Sequence, residues 1–279
     1  MSYAIYPLQF DTPVHFGQAG RGNQLAQAGM AYPADVLFSA ICAELAAAHE
    51  TAVLDRFAEK VRTRALLLSD LLPWQRGSDG ALCFFVPRPV LRLPVDAAQE
   101  AGDYGEVCRL SSMRKKQKKM KYLRASHMGD YIQAMRRGEA FSEDADFGTE
   151  SLRQRVNTRE DAPLPYYVGQ FDFHADAGLY LLLYLQEEED ADFVQEILTW
   201  LGLTGIGGKR TSGCGKFHCA EDYILLDSDG IYEDDAALSA LLTDADAPWQ
   251  MALSPVLPEA DALAAVQAGQ YRLRRAGGF

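Results

Sequence analysis

Apolar and polar positions alternate along residues 3–10, the period of a half-buried strand. Thr12-Pro13-Val14-His15-Phe16-Gly17 breaks that alternation, and residues 17–31, with four glycines, read as a loop. Beyond Pro33, residues Leu37, Phe38, Ile41, Cys42, Leu45 and Ala48 recur every three or four positions, which predicts an amphipathic helix with Asp35 or a neighbour as its N-cap. A second short helix is expected over 53–62, then β-rich stretches at 64–72 and 81–90 around Gly77-Ser78-Asp79-Gly80. Residues 91–126 interrupt the pattern as an insertion, 130–137 is short and helical, and the acidic stretch 139–150 reads as a domain boundary. The runs at 166–173 and 179–185 predict a β-hairpin, and 192–203 a helix with Phe193, Ile197, Trp200 and Leu201 inward. Strand material at 217–226, a helix at 235–243, a strand at 249–253, a helix at 259–268 and a strand at 271–274 complete the pattern.

Helices separated by β pairs, twice over, predict an α+β protein of two ferredoxin-like (RRM-like) halves. The first spans 1–145 and carries the basic insertion of about 91–126; the second spans 146–279 and carries a glycine-rich loop at 205–215. Residues 276–279 supply no closing element, so the last element of the second half is expected to be missing.

Composition changes this picture in two places. At 48% hydrophobic the chain can fill its cores, and no window reaches the ~20 consecutive apolar residues of a membrane span. With no secretory signal visible at residues 1–7, a cytoplasmic protein is expected. The five cysteines at 42, 83, 108, 214 and 219 show no zinc spacing, so neither a metal nor a cofactor is expected. The net charge of −12 is segregated: residues 109–124 hold eight cations and no anion, and taking those eight away leaves −20 on the rest. Such a chain can hold a polyanion in one orientation and repel it elsewhere.

The chemistry concentrates in Gly205-Ile206-Gly207-Gly208-Lys209-Arg210-Thr211-Ser212-Gly213-Cys214-Gly215. Glycines accept positive φ and close backbone approach, and successive amides can cradle an anion. The spacing fails the P-loop, since Leu203 stands where its first glycine belongs and Arg210 follows Gly208-Lys209. A dinucleotide fingerprint fails too, with Arg210 at its third glycine. A single-stranded nucleic-acid backbone or an ordinary glycine turn remain as readings.

These residues resemble the RAMP superfamily of CRISPR-associated RNA-binding proteins, whose mark is a glycine-rich loop late in a ferredoxin-like domain. The block 10–17, followed by Ala34-Asp35-Val36-Leu37-Phe38-Ser39-Ala40-Ile41-Cys42, is similar to the subunit of the type III-A (Csm) effector complex that holds the guide RNA's 5′ handle. So are Lys116-Gln117-Lys118-Lys119-Met120-Lys121-Tyr122-Leu123, Arg155-Val156-Asn157-Thr158 and residues 271–279. The resemblance implies an RNA-binding scaffold that does not cut RNA. Its implied partners are the 5′ handle, the large polymerase-like signature subunit and a backbone RAMP subunit. In that role, Gly207, Gly208 and Gly213 amides would approach phosphates, with Lys209, Arg210, Thr211 and Ser212 around them. His15 or Phe16 would stack on a base, Arg155, Asn157 and Arg159 would read a base edge, and Lys115, Lys116, Lys118, Lys119, Lys121 and Arg124 would track backbone. The alternative is a metal-independent endoribonuclease for CRISPR repeat RNA, with His15 as general acid/base and Lys209 or Arg210 stabilising the phosphorane. A third reading makes Asp35 an RNA-cleaving aspartate.

Overall fold

A computed structural model describes residues 2–17, 24–91, 104–157 and 164–273. In chain order its elements are β1 (Ser2–Phe10), β2 (Phe16–Gly17), β3 (Ala28–Gly29), α1 (Ala34–Ala47), α2 (Thr51–Arg62), β4 (Leu66–Leu68), β5 (Leu72–Arg76), β6 (Leu82–Pro87), α3 (Tyr104–Lys119) and β7 (Tyr122–Arg124). There follow α4 (Met128–Arg136), β8 (Gly148–Asn157), β9 (Leu164–Phe173), β10 (Ala177–Leu185), α5 (Asp190–Thr204), β11 (Phe217–Cys219), β12 (Ile224–Leu225), α6 (Glu233–Thr243) and α7 (Leu263–Ala268). The protein is α+β, and its strand pairs are antiparallel. Among the described residues no helix is long and apolar enough to cross a membrane. The chain divides into two compact units, described residues up to 76 with 147–226, and 77–146 with 227–273.

In the first unit the strands run β11-β1-β10-β5, with β12 also on β1 and β4 also on β10. Elements from both sides of residue 146 therefore share one sheet. The register pairs Ala4 with Leu183, Tyr6 with Leu181 and Leu8 with Leu179, so these side chains fall on one face with the period of two. That face takes Leu37, Ile41 and Leu45 of α1, Phe57 of α2, and Val194, Ile197, Leu198 and Leu201 of α5 into one core. Each such side chain contributes about 1.5–3 kcal/mol through burial. The N-terminus of α1 is capped from a distance: Ala34 N–H donates to Asp70 Oδ1 at 2.8 Å. Asp35 stands exposed in the first turn and makes no cap, which corrects the sequence expectation.

The expected hairpin of 166–173 with 179–185 does not form. Both strands exist, but β10 is claimed by β1, β4 and β5, while β9 pairs along ten residues with β8. The acidic start of β8 hides it from a β-pattern search, because much of this ribbon is exposed on both faces. Val14 anchors the ribbon, exchanging 2.9 Å hydrogen bonds with Phe171 in both directions.

In the second unit β6 pairs with β7, and α6 packs beside both β6 and residues 125–127. Asp234, wholly buried, accepts from Phe84 N–H, Ser126 N–H and Arg124 Nε. Asp235 accepts from Ile231 N–H and Tyr232 N–H and caps α6. Asp234 and Asp235 are thus buried parts of the fold's internal wiring. Residues 249–253 and 271–273 form no strand. Pro248 and Pro255 flank the former and withhold donors from any ladder.

Candidate nucleic-acid interface

Helix α5 ends on Gly205, whose φ of 84° turns the chain back after its N–H donates to Leu201 O at 2.8 Å. Ile206 then plugs the core, fully buried, and its N–H donates to Gly215 O at 2.9 Å. The two ends of the loop are thereby tied, and the middle projects as a single 3₁₀ turn, Arg210–Ser212. Lys209 precedes that turn in the left-handed region at φ 62°, and Gly213 follows it at φ 85°. A left-handed lysine costs about 1–2 kcal/mol and persists only where the surroundings fix it.

The surroundings are residues 11–16. Gly208 N–H donates to His15 O, Gly215 N–H to Pro13 O, and Lys216 N–H to Thr12 Oγ1, each at 2.9 Å. Gly213 N–H is held by Arg210 O at 2.8 Å, and Gly207 donates to the Tyr32 hydroxyl. The glycine amides expected to approach phosphates are therefore engaged inside the protein. The reason for glycine at 207 and 208 is lateral: a Cβ would lie 2.7 Å from Phe16 Cδ1 at the first and 2.7 Å from His15 Cδ2 at the second. Lys209, Arg210 and Thr211 keep the N–H groups that make no hydrogen bond to a described residue. Burial pushes the Tyr32 phenol up, against the opposing pull of the Gly207 donor and the Arg210 charge.

His15 and Phe16 are not stacking platforms. Phe16 is 3% exposed, inside the core against Phe10 and Tyr32. His15 is 8% exposed, and its Nδ1 donates to Gly169 O at 2.6 Å. Both rings brace the loop from below, and neither reaches a base or a ribose hydroxyl without opening the core. The alternative general acid–base role for His15 meets the same obstacle.

Above this base lies a half-buried row. Lys209 Nζ sits 5.6 Å from the centre of the Tyr166 ring, a cation–aromatic contact. Tyr166 is opposite Arg155 in the β8–β9 register, Val168 opposite Arg153 and Leu164 opposite Asn157, so Arg153, Arg155, Asn157 and Tyr166 share one ribbon face. Arg155 makes no ion pair with a described residue. Sequence reasoning missed Tyr166; its one signal was an aromatic near the loop-flanking Arg-x-Asn. Arg210 points the other way, with Nη1 3.4 Å from Glu44 Oε2 on α1 and 3.5 Å from Gly205 O. Thr211 and Ser212 are exposed. Arg159 lies outside the described residues.

In the second unit most of the basic run forms α3. Lys115, Lys118 and Lys119 are exposed at helical spacings of three and four, and Lys121 is exposed just beyond. Gln117, on another face, is buried and donates to Met135 Sδ. The Lys116 side chain lies outside the described residues. Arg124 departs from the expected backbone-tracking set. It pairs with buried Asp234 at 2.9 Å and with Glu233 at 3.2 Å, because it sits on β7 where the strand faces α6. Among the described residues no group of three or more His, Cys, Asp or Glu is placed to hold a metal.

No family model matches the chain. A Mycobacterium tuberculosis protein described as CRISPR system Cms protein Csm4 is 32% identical over 285 residues, covering 100% of this chain and 80% of the relative. The Streptococcus thermophilus protein of the same description is 28% identical over 280 residues, covering 100% and 81%. Among solved structures, a Csm1-Csm4 cassette in complex with AMPPNP aligns at TM-score 0.48 and 16% identity, over 72% of this chain and 67% of that one. A Csm3-Csm4 subcomplex in the type III-A CRISPR-Cas interference complex aligns at TM-score 0.46 and 12% identity, over 81% and 70%. Identity at the level of the mycobacterial relative, sustained over the whole of this sequence, places the chain in the Csm4 family.

Proposed function

We propose that this chain is the RNA-gripping scaffold subunit of a type III-A CRISPR interference complex. It holds the 5′ handle of the guide RNA and stands between the large subunit, Csm1, and the backbone RAMP subunit, Csm3. The observation that carries the RNA part is the half-buried row of Lys209 on the glycine loop with Tyr166 and Arg155 on the ribbon face beside it. Single-stranded RNA is held by cations on its phosphates and aromatics under its bases, and this row offers both within one register. Gly207 and Gly208 act by letting the loop seat on His15 and Phe16, which presents Lys209, Thr211 and Ser212 outward. Lys115, Lys118, Lys119 and Lys121 add a second cationic surface for backbone.

The ferredoxin-like reading is supported in the first unit by its strand order. With β1, β5, β10 and β11 taken as strands one to four, the sheet order is four-one-three-two, with α1 and α2 after the first strand and α5 before the fourth. On this reading the residues from β6 to β9 form an excursion between the second and third strands.

Affinity purification of the assembled operon products, with sequencing of the bound RNA, tests the reading. Recovery of guide RNAs sharing one repeat-derived 5′ handle, together with a large and a backbone subunit, is expected. Site-specific cleavage of a CRISPR repeat RNA by the purified chain alone would defeat the scaffold reading.

A further inference from the structure

The two cations at the tip of the glycine loop part company. Lys209 leans towards the Tyr166 ring, whereas Arg210 turns to helix α1, its Nη1 3.4 Å from Glu44 Oε2 and 3.5 Å from Gly205 O. Both contacts fall on one guanidinium nitrogen and both are long. A charge-assisted guanidinium–carboxylate pair closes to about 2.7–2.9 Å and commonly engages two nitrogens. Nε and Nη2 of Arg210 make no hydrogen bond to a described residue. Glu44 is the less exposed member, its side chain 20% accessible against 39% for Arg210, and among the described residues Arg210 is its side chain's one polar partner.

The backbone beneath Arg210 is fixed without this pair. Gly208 N–H donates to His15 O at 2.9 Å, Ser212 N–H to Lys209 O at 2.9 Å and Gly213 N–H to Arg210 O at 2.8 Å. The guanidinium can therefore leave Glu44 by changing rotamer while the loop stays in place. Arg210 begins the exposed turn Arg210–Ser212, so a strand lying over the loop comes within reach of its side chain. A phosphate takes a guanidinium through two donors at once, and Glu44 leaves those donors unused. A surface ion pair held by one long contact contributes little, so exchange of the carboxylate for a phosphate is favourable.

We propose that Glu44 is a positioning residue of the RNA grip: it parks Arg210 against α1 in the RNA-free chain and releases it to a phosphate of the bound strand. The proposal rests on the reading of this loop as an RNA contact. Glu44 competes with the incoming phosphate for one guanidinium, so its charge lowers RNA affinity, and it does so through Arg210.

The test is a double-mutant cycle of Glu44→Gln and Arg210→Ala, read by fluorescence anisotropy with a labelled 5′-handle RNA over a salt series, next to thermal melts. Glu44→Gln tightens binding by roughly 1.5- to 5-fold and leaves the log–log salt slope as it is. Arg210→Ala weakens binding and flattens that slope by roughly 0.7, the loss of one phosphate contact. In the Arg210→Ala background, Glu44→Gln gives no gain. Weaker binding by Glu44→Gln overturns the proposal, since it means that the pair holds the loop in its binding shape. So does an Arg210→Ala chain with wild-type affinity and slope, and so does a gain from Glu44→Gln that persists without Arg210, which means plain repulsion between Glu44 and RNA. A wild-type chain that binds no handle RNA contradicts the RNA-gripping reading itself, whereas a wild-type chain that binds while the cycle shows no coupling contradicts only the role of Glu44.

Discussion

The Nζ of Lys209 stands 5.6 Å from the centre of the Tyr166 ring, joining the tip of the glycine loop to the β8–β9 ribbon. Lys209 holds a left-handed backbone to do so, and Tyr166 faces Arg155 across the ribbon. Base–aromatic stacking is worth about 1–3 kcal/mol per base, so Tyr166→Ala weakens binding of a 5′-handle RNA by roughly 5- to 150-fold. Tyr166→Phe keeps most of it. Fluorescence anisotropy with a labelled handle RNA reads both, and equal effects of the two substitutions contradict the stacking role.

The glycines of the loop separate by what surrounds them. At Gly207 a Cβ meets Phe16 at 2.7 Å and φ is 85°, whereas at Gly213 φ is also 85° but nothing lies within 4 Å. Gly213→Ala therefore costs about 1–2 kcal/mol of stability from backbone strain alone. Gly207→Val adds about 1–3 kcal/mol of overpacking. Urea midpoints decide it: similar losses for the two variants mean that the close seat on Phe16 does not matter.

Arg124 and the α3 lysines were grouped by sequence and are divided by structure. Arg124→Gln leaves buried Asp234 without its charge partner, a loss of about 3–5 kcal/mol, and leaves the salt dependence of RNA binding unchanged. Exchanging Lys115, Lys118 and Lys119 for Gln does the reverse: stability holds, and the log–log salt slope flattens by roughly 0.7 for every phosphate that is no longer neutralised. Titration of affinity against salt, next to thermal melts, checks both.

Burial pushes the Cys219 thiol up to about 11 from its usual 9.0, with the Asp222 charge adding to the effect. The folded state holds this proton more tightly than the unfolded chain does. The stabilisation is therefore full below pH 9 and is lost as pH rises towards 11, amounting to at most about 3 kcal/mol. Cys219→Ala flattens this alkaline decline in a denaturant series. At pH 8, iodoacetamide reaches exposed Cys108 first, and Cys219 and buried Cys214 only on unfolding.

The sequence carried the strands and helices whose periodicity reports one buried face, such as β1, α1 and α5. It misassigned the partner of β9, because pairing is a long-range choice and the exposed β8 shows little alternation. The glycine loop was legible as a structural feature, but what its glycines pack against was not. Spacing cannot tell an amide aimed at a phosphate from one spent on His15 O, and only the packed position of Phe16 shows why glycine is required. Asp70 as the cap of α1, 36 residues from Ala34, and Asp234 as the partner of Arg124 had no local signal at all.

The central claim is that the Lys209–Tyr166–Arg155 row receives the 5′ handle. Photo-crosslinking of the assembled complex, with 4-thiouridine placed at single handle positions and peptides mapped by mass spectrometry, tests it most directly. Crosslinks from handle uridines to the peptides holding Tyr166 and Lys209, abolished by Tyr166→Ala/Lys209→Glu in complexes that still assemble, are the expected result. Handle crosslinks confined to other peptides of this chain or to other subunits, with that variant behaving as wild type, contradict it.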